Sequence, residues 1–280
     1  MNYRHAYHAG NFADVFKHAV LALCIEHLKL KPAPFRVIDV HAGRGRYDLA
    51  GIEAGKTLEW IDGVGRLLGM DAPALPAAIE ELLRPYLDVV RDLNPEGRLS
   101  IYPGSPLIAR RLLRPGDALV VNELHPEDGK TLAALFARDP QTKVLALDAW
   151  TAVKSLLPPK ERRGLLLVDP PFEERDDFEK LSAALADAKS RFETGAMILW
   201  HPIKGLPAVE AFHRAAGTAG FEKTLSAQLF VRAPLDESRF NGCGLFIVNP
   251  PWTLKAGLER LGPSLAQRLA QGAGAKFVLG

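Results

Sequence analysis

From residue 118 onward, short apolar, β-rich runs alternate with stretches of helical spacing, and no other feature restricts the fold as much. The runs lie at 118–124, 143–149, 164–168 and 196–200. The helical stretches lie at 130–137, 150–156, 176–193 and 208–219. Such alternation predicts a mainly parallel sheet covered on both faces by helices. An earlier run at 35–40 supplies the first strand. Two last runs, 223–231 and 244–248, have no helical pattern between them, which predicts an antiparallel hairpin at the sheet edge.

The first helix is predicted to start at Asn11, a good cap, with Asp14 in its first turn. Val15, Ala19, Ala22, Leu23 and Leu30 recur at helical spacing up to Lys31-Pro32. Residues 51–98 change character. Helical patterns at 57–68 and 77–93 dominate, Pro85 is placed to kink the second, and no strand is legible. This predicts a helical insertion between the first two strands. Residues 258–269 read as an amphipathic helix followed by Gly-rich fraying. The expected organisation is one domain over 1–280, with an N-terminal arm at 1–10 and the insertion at about 51–98.

Composition enters as a set of limits. No apolar run among the 280 residues is long enough to span a membrane, and the start is not that of a signal peptide. Cys24 and Cys243 lack metal-ligand spacing and read as buried thiols in a reducing compartment, hence a cytoplasmic protein without a metal. No exposed apolar helix stripe calls for a partner, so a monomer is expected. A net charge of +2 neither requires nor excludes nucleic acid. Its distribution says more: the first 46 residues hold five of the eight histidines, together with Arg4, Lys17, Arg44 and Arg46. Such a segment suits phosphate and base contacts, or is simply a solvated arm.

In a doubly wound sheet, ligands lie beyond the carboxyl ends of the strands. The first strand ends in Asp39-Val40-His41-Ala42-Gly43-Arg44-Gly45, a turn whose glycines allow close backbone approach to a ligand. The second ends at Glu123, which can accept both hydroxyls of a ribose. The third ends at Asp148, which can accept from an adenine amino group. Each acid alone is a solvated strand-end charge; in this order, with the turn, they form a nucleoside-binding set. The fourth strand ends in Asp169-Pro170-Pro171-Phe172. The prolines fix the backbone and remove two N–H donors, leaving a row of acceptors: the Asp169 carboxylate and the Pro170 carbonyl. An exocyclic amino group offers two N–H donors to that pair. Accepting both localises the nitrogen lone pair for attack on a sulfonium methyl, and Phe172 supplies a face for the base. Seven strands with the last reversed is the class I (Rossmann-like) methyltransferase arrangement of the α/β class. A second motif, Asn249-Pro250-Pro251-Trp252, follows the reversed strand and therefore belongs to the other rim; a structural role is expected, with Trp252 packing under the final helix. His201-Pro202, after the fifth strand, can line the pocket or serve packing.

The chain resembles the RlmJ family of bacterial 23S ribosomal RNA adenine-N6 methyltransferases. The resemblance is carried by the opening Tyr3-Arg4-His5-Ala6-Tyr7-His8-Ala9-Gly10-Asn11-Phe12, by the His41-Ala42-Gly43 turn, by Tyr102-Pro103-Gly104-Ser105-Pro106, by Glu123-Leu124-His125-Pro126 and by Asp169-Pro170-Pro171. It spans nearly the whole chain. It implies that His18, His41, Ser105, Glu123, Asp148 with its neighbour Ala149, and Asp169 contact S-adenosylmethionine, with S-adenosylhomocysteine as product. It implies that Asp169, with Pro170 and Phe172, forms the catalytic centre, that Tyr3, Arg4, His5 and Lys17 meet 23S ribosomal RNA or close over the site, and that the insertion helps dock RNA. Phe172 stands where relatives usually have Tyr, and Ala149 where a relative has Gly.

Three other readings stay open at this point. A DNA adenine-N6 methyltransferase shares the chemistry, but a duplex adenine must be flipped out, and no separate recognition domain is legible. A non-catalytic S-adenosylmethionine-binding RNA protein fits an altered motif better than the intact Asp169. A protein-glutamine methyltransferase usually begins its motif with Asn.

Overall fold

The computed structural model of the chain describes residues 4–174 and 176–280. A short 3-10 turn at His5–Tyr7 precedes helix α1 (Phe12–Lys29), whose cap is Asn11: its side chain accepts from the Ala13 and Asp14 amides. Strand β1 (Arg36–Asp39) follows, then β2 (Arg46–Asp48), α2 (Ile52–Thr57), α3 (Gly65–Leu68), α4 (Ala77–Asp92) and β3 (Ile101–Pro103). Next come α5 (Ser105–Leu112), β4 (Ala118–Asn122), α6 (Pro126–Leu135), β5 (Thr142–Leu145), α7 (Ala149–Leu156), β6 (Gly164–Val168) and α8 (Asp177–Phe192). The chain closes with β7 (Ala196–Ile203), α9 (Leu206–Gly217), β8 (Thr224–Phe230), β9 (Gly242–Val248), α10 (Leu254–Arg268) and β10 (Lys276–Leu279).

Among the described residues the main sheet runs β10-β8-β9-β7-β6-β1-β4-β5. Strands β5, β4, β1, β6 and β7 are parallel, as the alternation predicts. Strand β9 is antiparallel to both neighbours, and β10 is antiparallel to β8. The seven expected strands are present and an eighth is added. The glycine-rich tail does not fray: its last residues pair with β8. The reversed strand is interior, between β7 and β8, because the β8–β9 loop folds β9 back inside. One buried layer joins α1, α4, α5 and α10 to one face of the sheet; α7, α8 and α9 cover the other.

The 51–98 segment departs from its expected pattern in one place. Residues 57–68 are not one helix. Leu58 is left-handed at φ 55°, and the Val64 amide donates to the Gly10 carbonyl at 2.8 Å. A Cβ on Gly63 would lie 2.0 Å from that same carbonyl oxygen, so the chain turns there to meet the N-terminal segment. Helix α4 buries Ile79, Leu83, Tyr86 and Leu87 in the core shared with α1. Strands β2 and β3, too short to show a pattern in sequence, pair antiparallel on either side of this segment.

Candidate active site

A cleft of about 650 Å3 opens at the carboxyl ends of β1, β4, β5 and β6, with the start of α1 as one wall. That volume suits a small-molecule ligand. Behind the lining residues His41 and Ser105, Asp39 is buried; Oδ2 accepts from Ser105 Oγ at 2.6 Å and Oδ1 from the His41 amide at 3.1 Å. Burial pushes its carboxyl up to about 6, against the pull of those two hydrogen bonds. The turn then reaches Gly43 at φ 60°, whose amide donates to Glu123 Oε2 at 2.8 Å. Glu123 Oε1 accepts from the His125 amide at 2.8 Å, so the carboxylate is fixed from both sides. Burial raises its pKa. Strand β5 ends earlier than expected, at Leu145, and Asp148 caps α7 by accepting from the Thr151 amide at 2.9 Å. Ala149 and Trp150 follow on the cleft wall.

Asp169 ends β6 at the centre of this arrangement. Its amide donates to His41 Nδ1 at 3.2 Å. Burial drives His41 down to about 4, so the ring is neutral with its proton on Nε2. The Asp169 carboxylate is bonded by the ammonium of Lys17 on α1, which also lies 3.0 Å from Asp14 Oδ1. Burial works against the charge on Lys17, but Asp169 and Asp14 outweigh it and hold its pKa well above the usual value. Asp14 is likewise desolvated, and its interactions with the His5 ring and the Lys17 ammonium outweigh that and hold it well below the carboxylate range. After Pro170 and Pro171, Phe172 takes φ 51°, a left-handed conformation costing an L-residue roughly 1 kcal/mol or more. The strain is held by packing: the ring lies 4.9 Å from Phe178 and 5.7 Å, edge-on, from Trp200.

A family model described as "Ribosomal RNA large subunit methyltransferase D, RlmJ" matches residues 32–279. The chain belongs to this family. Within it, the chain is 39% identical to "Ribosomal RNA large subunit methyltransferase J" of Escherichia coli K12 over 96% of this chain and 94% of that protein. It is 40% identical to the protein of the same description from Haemophilus influenzae, at the same coverage. The crystal structure of protein LPL1258 from Legionella pneumophila superimposes with a TM-score of 0.87, at 32% identity over 98% of each chain.

Against that RlmJ-family frame, the sequence-derived residues fall into three groups. His41, Ser105, Glu123, Asp148, Ala149, Asp169, Pro170 and Phe172 all line the one cleft, as do His5, Lys17 and His18. His18 is buried, with Nδ1 2.9 Å from the Tyr102 hydroxyl; its Nε2 has no hydrogen-bond partner among the described residues. Burial pushes it down to about 3, so it is neutral. His5 meets Asp14 at 2.9 Å. Arg4 does not line the cleft: it pairs with Glu127 at 2.8 Å and lies 3.6 Å from Asp128. Tyr3 lies outside the described residues.

The second proline motif lies on the far rim, as its strand direction requires. Asn249 Nδ2 donates to the carbonyls of Glu193 and Gly195, just before β7 begins. Trp252 does not pack under the last helix: it is 81% exposed, with its ring 6.2 Å from that of His27, edge-on. His201 is fully buried, with Nε2 3.0 Å from His213 Nε2, and serves packing; Pro202 reaches the cleft. Sequence reasoning missed Trp150, Trp200, Phe240 and Lys204 on the cleft wall. Trp200 ends the strand as read from the sequence, 196–200, and could have been found by the strand-end rule, although β7 runs on to Ile203. Phe240 lies in the β8–β9 loop and carried no sequence signal.

Among the described residues, no group of three His, Cys, Asp or Glu side chains is placed to hold a metal, and no helix is long and apolar enough to cross a membrane. More carboxylates than ammonium groups line the cleft, which favours a cationic ligand there. That charge balance, the acids Glu123 and Asp148, and a His18 Nε2 that has no hydrogen-bond partner among the described residues fit a nucleoside that carries a sulfonium.

Proposed function

We propose that this chain transfers a methyl group from S-adenosylmethionine to N6 of an adenine in 23S ribosomal RNA. The observation that carries the reading is the position of Asp169-Pro170-Pro171-Phe172, which opens onto the same cleft as the Gly43 turn, Glu123 and Asp148. When bound, S-adenosylmethionine supplies an electrophilic methyl on its sulfonium. Glu123 takes the ribose hydroxyls. Asp148 and the Ala149 backbone take the adenine end. His18, His41, Ser105 and Asp169 complete the contacts. Asp169 and the Pro170 carbonyl accept the two amino hydrogens of the target base, which localises the lone pair on N6. Phe172, braced by Phe178 and Trp200, gives the base a face to stack on. Catalysis then comes from orientation and preorganised charge.

The substrate reading rests on the full-length likeness to ribosomal RNA methyltransferases, and on a chain with one cleft domain suited to an unpaired adenine in folded RNA. His5 and Lys17 line the cleft and are the N-terminal groups offered to RNA. Arg4, held by Glu127, joins them if the arm rearranges, and Tyr3 is assigned to the same RNA-contacting set. The segment at about 51–98 contributes a docking surface as part of a single domain over 1–280. The protein acts as a monomer in the cytoplasm, in keeping with the buried free thiols of Cys24 and Cys243.

The test is methyl transfer from labelled S-adenosylmethionine to ribosomal RNA of cells lacking the gene, followed by nucleoside analysis. Labelled N6-methyladenosine in 23S RNA is the expected product. Label in DNA or protein would overturn the substrate, and no transfer to any acceptor would overturn the reaction.

A further inference from the structure

Both ion pairs at the centre of the cleft lead to a residue the proposed reaction has not used. Asp14 is 1% exposed. Its Oδ2 accepts from the Gly10 amide at 2.9 Å and meets His5 Nε2 at 2.9 Å, while its Oδ1 lies 3.0 Å from the Lys17 ammonium. Lys17 is itself 4% exposed, and its other partner is the Asp169 carboxylate. One buried cation is therefore shared by two carboxylates. The spacing is built into α1, where Asp14 and Lys17 stand one turn apart.

A carboxylate bound to an ammonium is a weakened acceptor for a neutral amino group, so a target base competes with Lys17 for Asp169. Lys17 can yield only if its charge stays paired, because a buried ammonium without a counter-charge is strongly unfavourable. We propose that Asp14 is a positioning residue for methyl transfer: it retains the Lys17 ammonium while Asp169 releases it to accept the amino group. Asp14 acts through Lys17, and the inference rests on the reading of Asp169 as the acceptor. Without the charge on Asp14, Lys17 stays locked on Asp169 and the base finds its acceptor occupied.

The test is a kinetic cycle on the full-length protein with ribosomal RNA as substrate. D14N keeps the size of the side chain and one acceptor oxygen but removes the charge. It is expected to lower kcat on the order of tenfold or more, with KM for RNA moved by less than about threefold. D14E is expected to recover most of the rate. In a K17M background, D14N is expected to cost less than about twofold further, because the residue it acts through is gone. Losses that multiply across D14N and K17M, or a change in KM with kcat untouched, would overturn the proposal. If D14N does not fold, as read by circular dichroism and melting, D14S, which also removes the charge, and D14S/K17M decide in the same way. Wild-type protein that methylates no RNA would remove the Asp169 reading, and the Asp14 proposal with it. Active wild-type and inactive D169N, with D14N as fast as wild-type, would remove only the Asp14 proposal.

Discussion

The Gly43 amide donates to Glu123 Oε2 at 2.8 Å, so the turn after β1 and the acid after β4 form one unit although 80 positions separate them. The strand-end acid is thereby held by the glycine turn, and both face the cleft.

Gly43→Ala should therefore disturb both. The residue is left-handed, and an added Cβ would lie 2.2 Å from the Tyr47 hydroxyl. Either the buried Tyr47 side chain or the turn must shift, and the left-handed backbone is strained for alanine, at a cost of about 1–3 kcal/mol. Calorimetric titration should show S-adenosylmethionine affinity reduced on the order of tenfold or more, given about 1.4 kcal/mol per tenfold. Unchanged affinity would mean that this turn does not shape the binding site.

Asp169→Asn tests the acceptor role. It keeps the shape of the side chain but removes the charge that draws on the amino hydrogens. Single-turnover methyl transfer should slow by roughly 10²–10³, as when one preorganised polar group is lost from a reaction centre. Cofactor affinity should change far less. A rate within a few-fold of wild-type would sink the role assigned to this carboxylate.

Asn249→Ala separates the two proline motifs. Asn249 Nδ2 ties two carbonyls ahead of β7, and its backbone is left-handed at φ 47°, which Asn tolerates better than Ala. Stability should fall by about 1–3 kcal/mol in urea unfolding. Turnover at 25 °C should stay unchanged, because the motif lies on the rim away from the cleft. Lost turnover in folded protein would contradict that separation.

The pH dependence of stability follows from buried neutral histidines. Burial pushes His18 and His201 down to about 3 and His41 to about 4. In the unfolded chain each takes a proton near pH 6.5. Below that pH the unfolded state binds protons that the folded state refuses, so stability is lost as the pH falls from about 6.5 toward 4. Asp39, raised to about 6, opposes this: it adds stability at low pH that is lost as the pH rises through 6. Glu123, also raised by burial, acts in the same sense as Asp39, and the three histidines outweigh the two carboxyls. Melting temperatures at constant salt should drop from pH 7.5 to 5, and His201→Gln should flatten the slope. A profile equally steep in the variant would count against His201 as a source.

The site was more legible than the fold's details. Asp39, Glu123, Asp148 and Asp169 could be grouped from the sequence because each stands at or just beyond the end of an apolar strand, and a parallel sheet brings such ends to one rim. Boundaries slipped where tertiary contacts decided them. Strand β5 stops at Leu145 because Asp148 is taken up as the cap of α7. Residues 57–68 break because Val64 bonds to Gly10. The tail 276–279 becomes a strand because β8 offers an open edge, which a glycine-rich sequence does not announce. Trp252 looked like a core residue by type alone and is exposed.

By itself the sequence determined the order of strands and helices and which residues end the strands, because hydrophobic period and turn chemistry are local properties of the chain. It thereby determined which acids share a rim. Only the tertiary structure decided what those residues touch. Tyr102, on a three-residue strand, reaches His18, and Lys17, paired with Asp14, reaches Asp169 across 152 positions of sequence. Those pairings depend on where α1 and the β2–β3 ribbon settle against the sheet. Burial and ion pairing, which together set the charge states of His18, His41, Asp14 and Lys17, exist only once they have done so.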